Sequence, residues 1–252
     1  MLLIYIYIFM LGGILGSFYN VVGLRVPLNQ SIVKPRSHCP SCKRTLTPVD
    51  LVPIFSYLFL GGKCRGCGQK ISINYPLMEL STAFLFTLAF YEIGFQWELL
   101  VAWTFISLLI IILVSDIAYM LIPDKVLLFF LPILIVERIF LPLNPWWDPI
   151  VGAFFGFGLL FFIAVISKGG MGGGDIKLYF LIGIVLGFKL SLLSFFIATL
   201  IGALYGVAII LVGKFKKRQP IPFGPFIVVG SLMAYFYGES IISWYIHTFY
   251  SF

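Results

Sequence analysis

Long apolar stretches separated by short polar connections run along most of the chain. A helix needs about 20 apolar residues to cross the hydrocarbon core of a bilayer, and a window of about 19 residues finds eight candidates. They cover residues 2–23, 77–95, 98–115, 125–142, 149–167, 176–188, 190–213 and 223–247. This pattern predicts an all-α polytopic membrane protein with about eight transmembrane helices. The sixth stretch is short, so a tilted or partly re-entrant helix is one interpretation there. The first stretch lacks the basic region and cleavage site of a signal peptide, and we expect it to be retained.

The polar connections differ in charge, and this difference predicts the orientation in the membrane. Four connections, at 24–76, 116–125, 168–177 and 214–218, hold fifteen of the 17 Lys and Arg residues. Because cytoplasmic loops carry an excess of positive residues, these connections are predicted to face the cytoplasm, with both termini outside. The net charge of +7 then reflects orientation against anionic membrane lipid. A nucleic-acid surface is disfavoured, since the basic residues are spread over separate loops.

The one long polar segment, at 24–76, contains every cysteine of the chain. We therefore divide the chain into a first transmembrane helix at 1–23, a cytoplasmic loop domain at 24–76 and a transmembrane domain at 77–252. A loop of this size buries too little apolar surface to fold without help, which favours a bound metal.

The four cysteines form two C-x-x-C pairs, Cys39 with Cys42 and Cys64 with Cys67. Two such pairs are typical of tetrahedral Cys₄ coordination of zinc, in which four thiolates leave no position for water, so the metal is predicted to be structural. Two disulfides are the alternative, which a reducing cytoplasm disfavours. His38 adjoins the first pair and is interpreted as a neighbour of the metal site.

Glycines recur at a spacing of four residues inside several apolar stretches. Small residues at this spacing let helix backbones approach closely where lipid provides no hydrophobic drive for association. The pairs are Gly12 and Gly16, Gly152 and Gly156, Gly183 and Gly187, and Gly202 and Gly206. They predict helix packing and not a dinucleotide site, because no βαβ unit surrounds the first pair.

Two aspartates stand at the ends of apolar stretches. Asp116 ends the third stretch, and Asp175 follows the glycines at 172–174 and opens the sixth. Ionisable side chains at membrane depth are costly and mark functional sites by default. An aspartate pair at the membrane edge is therefore the leading candidate for chemistry. Asp175 acting only as a helix cap is an alternative, and an ion- or proton-coupled transporter that uses the acids is another.

The order of several segments resembles that of bacterial type IV prepilin peptidases, the GxGD-type aspartic proteases. The resemblance covers nearly the whole chain and is carried by Gly16–Val22, Arg36–Cys42, Leu51–Tyr57, Gly62–Cys67, Tyr75–Glu79, Asp116 with Ile122-Pro123-Asp124, and Gly172–Leu178. It implies a bifunctional enzyme of the bacterial cytoplasmic membrane. Such an enzyme removes the basic leader from type IV prepilins and pseudopilins and then N-methylates the new terminal residue with S-adenosylmethionine.

The resemblance implies that Asp116 and Asp175 are the catalytic pair. Two facing carboxylates share a proton, so one can activate water while the other protonates the scissile carbonyl and the leaving amine. Asp124 could instead be the partner acid, a helix cap or an anchor for a substrate lysine, and the family pattern favours Asp116. Lys177 could lower the pKa of an acid or extend to the interface.

Two glycines and one glutamate complete the candidate set. Gly172 and Gly174 are expected to allow close approach by an extended substrate and unusual torsion angles beside Asp175. Glu79 is the candidate for contacting the amine or the methyl donor, with a solvated interfacial carboxylate as the alternative. No nucleotide-binding Rossmann unit is present in the sequence, so the donor is expected to bind between the 24–76 loop and adjoining helix ends.

Overall fold

A computed structural model describes residues 1–168, 170–212 and 222–250. Over these residues the fold is all-α, as predicted, and no β-strand forms. The helices are α1 (Leu2–Arg25), α2 (Phe55–Phe59), α3 (Asn74–Ile93), α4 (Glu98–Tyr119), α5 (Asp124–Phe140), α6 (Asp148–Ile166), α7 (Gly173–Leu211) and α8 (Gly224–Tyr250), with a 3-10 turn at Pro48–Leu51.

Five of these helices, α1, α4, α6, α7 and α8, are long and apolar enough to cross a membrane. The multi-pass character is thereby confirmed. Helices α3 and α5 coincide with the stretches predicted at 77–95 and 125–142 but do not meet the same criterion. The number of crossings therefore stays a prediction, and the basic connection at 214–218 lies outside the described residues.

Helix α7 is broken at Gly187, where φ is 72° and ψ is −175°. The side chain of Asp148, at the start of α6, accepts a hydrogen bond from the Phe188 N–H at 3.1 Å. A carboxylate in this position caps the second half of α7 by satisfying one of its orphan amides. The two stretches predicted at 176–188 and 190–213 are thus the two halves of one interrupted helix.

The chain forms two compact units, Met1–Ala118 and Tyr119–Phe252. In the first unit α1 packs on α3 through glycines: a Cβ on Gly12 would lie 2.8 Å from the Cα of Ala83, and one on Gly16 would lie 2.9 Å from the Cα of Glu79. The Tyr19 and Ser107 hydroxyls, 2.6 Å apart, join α1 to α4. The first glycine pair therefore has the predicted packing role.

In the second unit α7 is the central element, contacting α5, α6 and α8. The backbones of Gly152 and Gly183 touch, so these glycines also serve close packing as predicted. The Arg138 guanidinium of α5 donates to the Val185 carbonyl at 2.7 Å. Among the residues that the structure describes, none lies within 4 Å of a Cβ built on Gly206, so no close helix contact is seen at that glycine within this part of the chain.

Candidate catalytic and metal-binding residues

Asp116 lies in the last turns of α4, in the first unit. Its side chain is buried with an exposed fraction of 5%, and the adjacent Ser115 is fully buried. Helix α4 is almost continuously apolar before this point, so the carboxylate enters an environment that charged groups avoid. A carboxylate retained there at such cost is a candidate for chemistry.

Asp175 lies in the first turn of α7, in the second unit, with its N–H donating to the Gly172 carbonyl at 3.1 Å. Gly172 is the N-cap residue of this helix, with φ −69°. A Cβ on Gly172 would lie 2.9 Å from Oδ2 of Asp175. The missing side chain therefore leaves room for the Asp175 carboxylate.

Gly174 makes room on the other side of the turn, because a Cβ there would lie 2.7 Å from the Cβ of Ile122. A Cβ on Gly173 meets none of the described residues within 4 Å. All three glycines have φ values outside the left-handed region, so the expected role in unusual torsion angles is wrong. What Gly172 and Gly174 provide is space around Asp175 and the Ile122 segment.

Asp124 and Lys177 form an ion pair within the second unit. The Lys177 Nζ lies 2.8 Å from both carboxylate oxygens of Asp124, which begins α5. Both side chains are more than half exposed. This contact places the Lys177 ammonium on the Asp124 carboxylate.

The four cysteine sulfurs lie within 4.8 Å of one another. The Cys39 and Cys67 sulfurs are 3.8 Å apart, and those of Cys42 and Cys64 are 3.9 Å apart. A tetrahedral zinc with bonds of about 2.3 Å requires sulfurs about 3.8 Å apart. A disulfide requires about 2.05 Å, so these sulfurs are not bonded to one another and their arrangement suits a metal. His38 stands outside this group and bonds the Arg36 carbonyl.

Local backbone geometry repeats around the two cysteine pairs. The Cys39 N–H donates to the Arg44 carbonyl, and the Cys64 N–H donates to the Gln69 carbonyl. In both pairs the first cysteine thus bonds the carbonyl five residues later. The amides of Cys42 and Ser41 donate to the Cys39 sulfur and lower its pKa to about 6. Amide donors aimed at sulfur favour the thiolate, which is the form that binds a metal. Residues 36–72, which carry both turns, are called the Cys₄ module below.

Asp50 stabilises the Cys₄ module, a role that was missed in the sequence. Its side chain is 4% exposed, and it lies 2.9 Å from the Arg44 guanidinium and 3.4 Å from that of Arg65. The Thr47 amide and hydroxyl, followed by the two guanidinium groups, hold the pKa of Asp50 below its usual range although burial opposes this. The available signal was the Thr47-x-x-Asp50 spacing of a capping box.

Glu79 is buried near the start of α3, with an exposed fraction of 9%. Its carboxylate accepts the Ile54 N–H at 2.8 Å. Ile54 has φ 64° and ψ −53°, a conformation that is costly for a β-branched residue and persists only where the surroundings impose it. The alternative of a solvated interfacial carboxylate is therefore wrong, and Glu79 holds a strained turn of the Cys₄ module against α3.

Two family models together match most of the chain. Residues 10–93 match the bacterial peptidase A24 N-terminal domain, and residues 103–207 match the type IV leader peptidase family. The first match contains all four cysteines and Glu79; the second contains Asp116, Asp124, Asp175 and Lys177. No solved structure matches the chain.

Full-length relatives extend these matches over almost the entire chain. A prepilin leader peptidase/N-methyltransferase of Bacillus subtilis is 54% identical over 95% of this chain and 96% of the relative. Proteins of the same name from Aeromonas salmonicida and Pseudomonas aeruginosa are each 31% identical, covering 96% and 94% of this chain and 93% and 91% of the relatives. The chain therefore belongs to the type IV leader peptidase family.

Proposed function

We propose that this protein is a membrane-embedded aspartic endopeptidase that removes the leader from type IV prepilins or pseudopilins and N-methylates the residue thus exposed. The observation that carries the proposal is the 54% identity to a prepilin leader peptidase/N-methyltransferase over 95% of the chain. The transporter alternative has no support among the relatives named above, since each of them bears that enzyme name.

Cleavage is assigned to Asp116 and Asp175. The proposal is supported by the position of Asp116 in a buried apolar helix and by the space that Gly172 leaves for the Asp175 carboxylate. One carboxylate takes a proton from water as the water oxygen attacks the scissile carbonyl carbon. The protonated partner donates to the carbonyl oxygen and later to the leaving amine, so no covalent enzyme intermediate forms.

Asp124 is assigned a positioning role beside this pair. Its ion pair with Lys177 links the start of α5 to the first turn of α7. Gly174 allows Ile122 to pack against that same turn. Together these contacts fix the Ile122-Pro123-Asp124 segment next to the residues that present Asp175.

The Cys₄ module binds one structural zinc through Cys39, Cys42, Cys64 and Cys67. The sulfur spacing and the amide donors to Cys39 support this assignment. S-adenosylmethionine supplies the methyl group, and its binding site belongs to the first unit, which contains the Cys₄ module and Glu79. The enzyme lies in the cytoplasmic membrane with its acids and the Cys₄ module on the cytoplasmic side and both termini outside.

A prepilin leader rich in Lys and Arg stays on the cytoplasmic side for the same electrostatic reason that orients the loops of the enzyme. The substrate helix lies in the membrane and presents the leader junction at its edge. Moving the junction about ten residues deeper into that helix, roughly 15 Å at 1.5 Å per residue, is expected to abolish cleavage.

The test is mass spectrometry of the mature substrate after incubation with the purified protein in lipid. We expect a new amino terminus at the leader junction, carrying one added methyl group when S-adenosylmethionine is present. An intact prepilin under conditions in which the Bacillus subtilis relative cleaves its own substrate would contradict the proposal. Ion flux without cleavage would favour a transporter.

A further inference from the structure

A cavity of about 500 Å³ opens in the first unit between the Cys₄ module and the ends of α1 and α3. The helix wall carries Ser17, Asn20 and Glu79, and the module wall carries Arg44, Asp50 and Arg65. The aromatic side chains of Tyr57 and Tyr75 also line it. Small-molecule sites have this size and this mixture of apolar surface with a few converging polar groups.

We propose that this cavity binds S-adenosylmethionine and that Glu79 binds the substrate amine that receives the methyl group. The inference rests on the proposed methyltransferase function and assigns its site. The cavity is assigned to the methyl donor, and Glu79, the buried carboxylate on α3, is assigned to the amine.

The walls of the cavity match the chemistry of the donor. Two guanidinium groups, Arg44 and Arg65, share the single carboxylate of Asp50, which leaves an excess positive charge for the donor's own carboxylate. The rings of Tyr57 and Tyr75 offer flat apolar surface for the adenine. Because the buried Asp50 side chain accepts a hydrogen bond from the Arg44 guanidinium at 2.9 Å, this part of the wall is ordered before any ligand binds.

Glu79 faces the same cavity from the helix wall. Its Oε2 accepts the Ile54 N–H, and the strained φ of Ile54 indicates that this contact is enforced by the surrounding fold. A buried carboxylate attracts the new terminal ammonium and accepts one of its protons. The amine nitrogen then forms a bond to the methyl carbon, while the carbon–sulfur bond breaks and its electron pair stays on sulfur. One proton is released to solvent, which balances the reaction.

A second, smaller cavity of about 160 Å³ adjoins the first. The two share Asn20 and Tyr75 among their lining residues, and the Asn20 amide donates to the Tyr75 carbonyl at 3.2 Å. The smaller cavity reaches Val114 and Ile117 of α4, which lie two residues before and one residue after Asp116 in the chain. An amine released beside Asp116 therefore has a route along the first unit to Glu79.

The experiment measures donor binding separately from turnover. The probe is S-adenosylhomocysteine, titrated calorimetrically into the purified full-length protein in lipid nanodiscs. Val21→Phe enlarges a cavity-lining side chain on α1, Glu79→Gln keeps an acceptor for the Ile54 N–H, and Glu92→Gln alters an exposed glutamate of the same helix as the matched control.

We expect Val21→Phe to weaken binding by about tenfold or more, as a filled pocket must. Glu79→Gln is expected to change binding by less than about threefold but to lower the ratio of methylation to cleavage by about 100-fold, the usual scale for a proton acceptor. Its residual methylation should rise about tenfold per pH unit until the amine titrates near pH 8, because only free amine then reacts. Glu92→Gln should match the parent in both measurements.

Unchanged affinity in a folded Val21→Phe protein overturns the cavity assignment. Zinc content and unfolding temperature report folding, and Leu60→Trp, which fills the cavity from the module wall, replaces Val21→Phe if that variant does not fold. A methylation-to-cleavage ratio in Glu79→Gln equal to that of the parent overturns the role of Glu79. A parent protein that cleaves but neither binds the probe nor methylates overturns the methyltransferase function itself. That outcome differs from failure of the cavity assignment, in which the parent still binds the probe and methylates.

Discussion

The Lys177 ammonium lies 2.8 Å from both carboxylate oxygens of Asp124. Lys177 follows Asp175 by two residues near the start of α7. The exposed fractions of the two side chains are 52% and 59%. Water screens such a pair, and its contribution to stability is about 0–1 kcal/mol. The contact therefore matters for position more than for stability. It keeps the start of α5 next to the turn that carries Asp175.

Asp124→Asn should consequently reduce cleavage far less than loss of a catalytic acid does. We expect at most about a tenfold fall in kcat/KM, against about 10²–10⁴-fold for removal of a group that transfers protons in the reaction. The measurement is steady-state cleavage of a purified prepilin. Lys177→Gln serves as the matched partner variant and should give a similar, non-additive loss. An Asp124→Asn protein as inactive as Asp116→Asn would assign Asp124 to the catalytic pair.

The three glycines before Asp175 should differ in their tolerance of alanine. Among the described residues, a Cβ at Gly172 meets only the movable end of the Asp175 side chain, so Gly172→Ala should fold normally but displace the carboxylate. A displacement of about 1 Å costs about 100-fold in rate. Cleavage kinetics and the unfolding temperature, measured together, separate the two effects.

Gly173→Ala is the control in this series, since a Cβ there meets no atom of the described part of the chain within 4 Å. We expect its cleavage rate to equal that of the parent and its helix to gain about 0.5–1 kcal/mol, the usual difference between Gly and Ala. Gly174→Ala presses on the Cβ of Ile122, which cannot rotate away, and should lose both stability and rate. Equal activity of all three variants would contradict the spatial role of Gly172 and Gly174.

Zinc should be present at one ion per chain and should leave when a ligand is removed. Cys39→Ser is expected to abolish zinc binding and to expose residues 36–72 to proteolysis, because metal binding supplies the folding free energy of such a module. Ser41→Ala, between the two ligands of the first pair, is the control. Since the thiolates compete with protons, zinc should also be lost as the pH falls. Full zinc content in Cys39→Ser, measured by elemental mass spectrometry, would count against the site.

Helix α1 should depend on its glycines for contact with α3. Gly12→Ala places a Cβ 2.8 Å from the Cα of Ala83, a backbone atom that cannot move aside, and we expect a loss of about 1–3 kcal/mol. Gly158→Ala on α6 adds the same atom where no described residue lies within 4 Å and should cost nothing. Reversible unfolding in mixed detergent measures the difference. Equal stability of the two variants would refute the close packing of α1 on α3.

Apolar patterning predicted the helices well because each long helix is apolar over most of its length, and α1 and α4 begin within one residue of the stretches predicted there. The cysteine spacing likewise predicted a cluster that the fold brings together. The break at Gly187 was only partly anticipated, since its cause is a carboxylate from another helix, Asp148. Contacts between distant segments leave no local periodicity.

The same limit explains what was missed around the candidate site. The burial of Glu79 and the strained turn at Ile54 arise from tertiary packing between the Cys₄ module and α3. The bond from Lys177 to Asp124 joins residues far apart in the chain, so the sequence left the role of each open. The run of glycines suggested unusual torsion angles beside Asp175. In the fold, Gly172 and Gly174 instead leave room for the side chains of Asp175 and Ile122.

The most direct test of the central claim is the cleavage rate of Asp116→Asn, Asp175→Asn and the double variant under saturating prepilin. If the two carboxylates act as one unit, each single variant loses about 10²–10⁴-fold in kcat, and the double variant is no slower than the singles. The Michaelis constant should change little in all three. A single variant that retains more than about a tenth of the parent rate, or a double variant whose losses multiply, would contradict the aspartate pair.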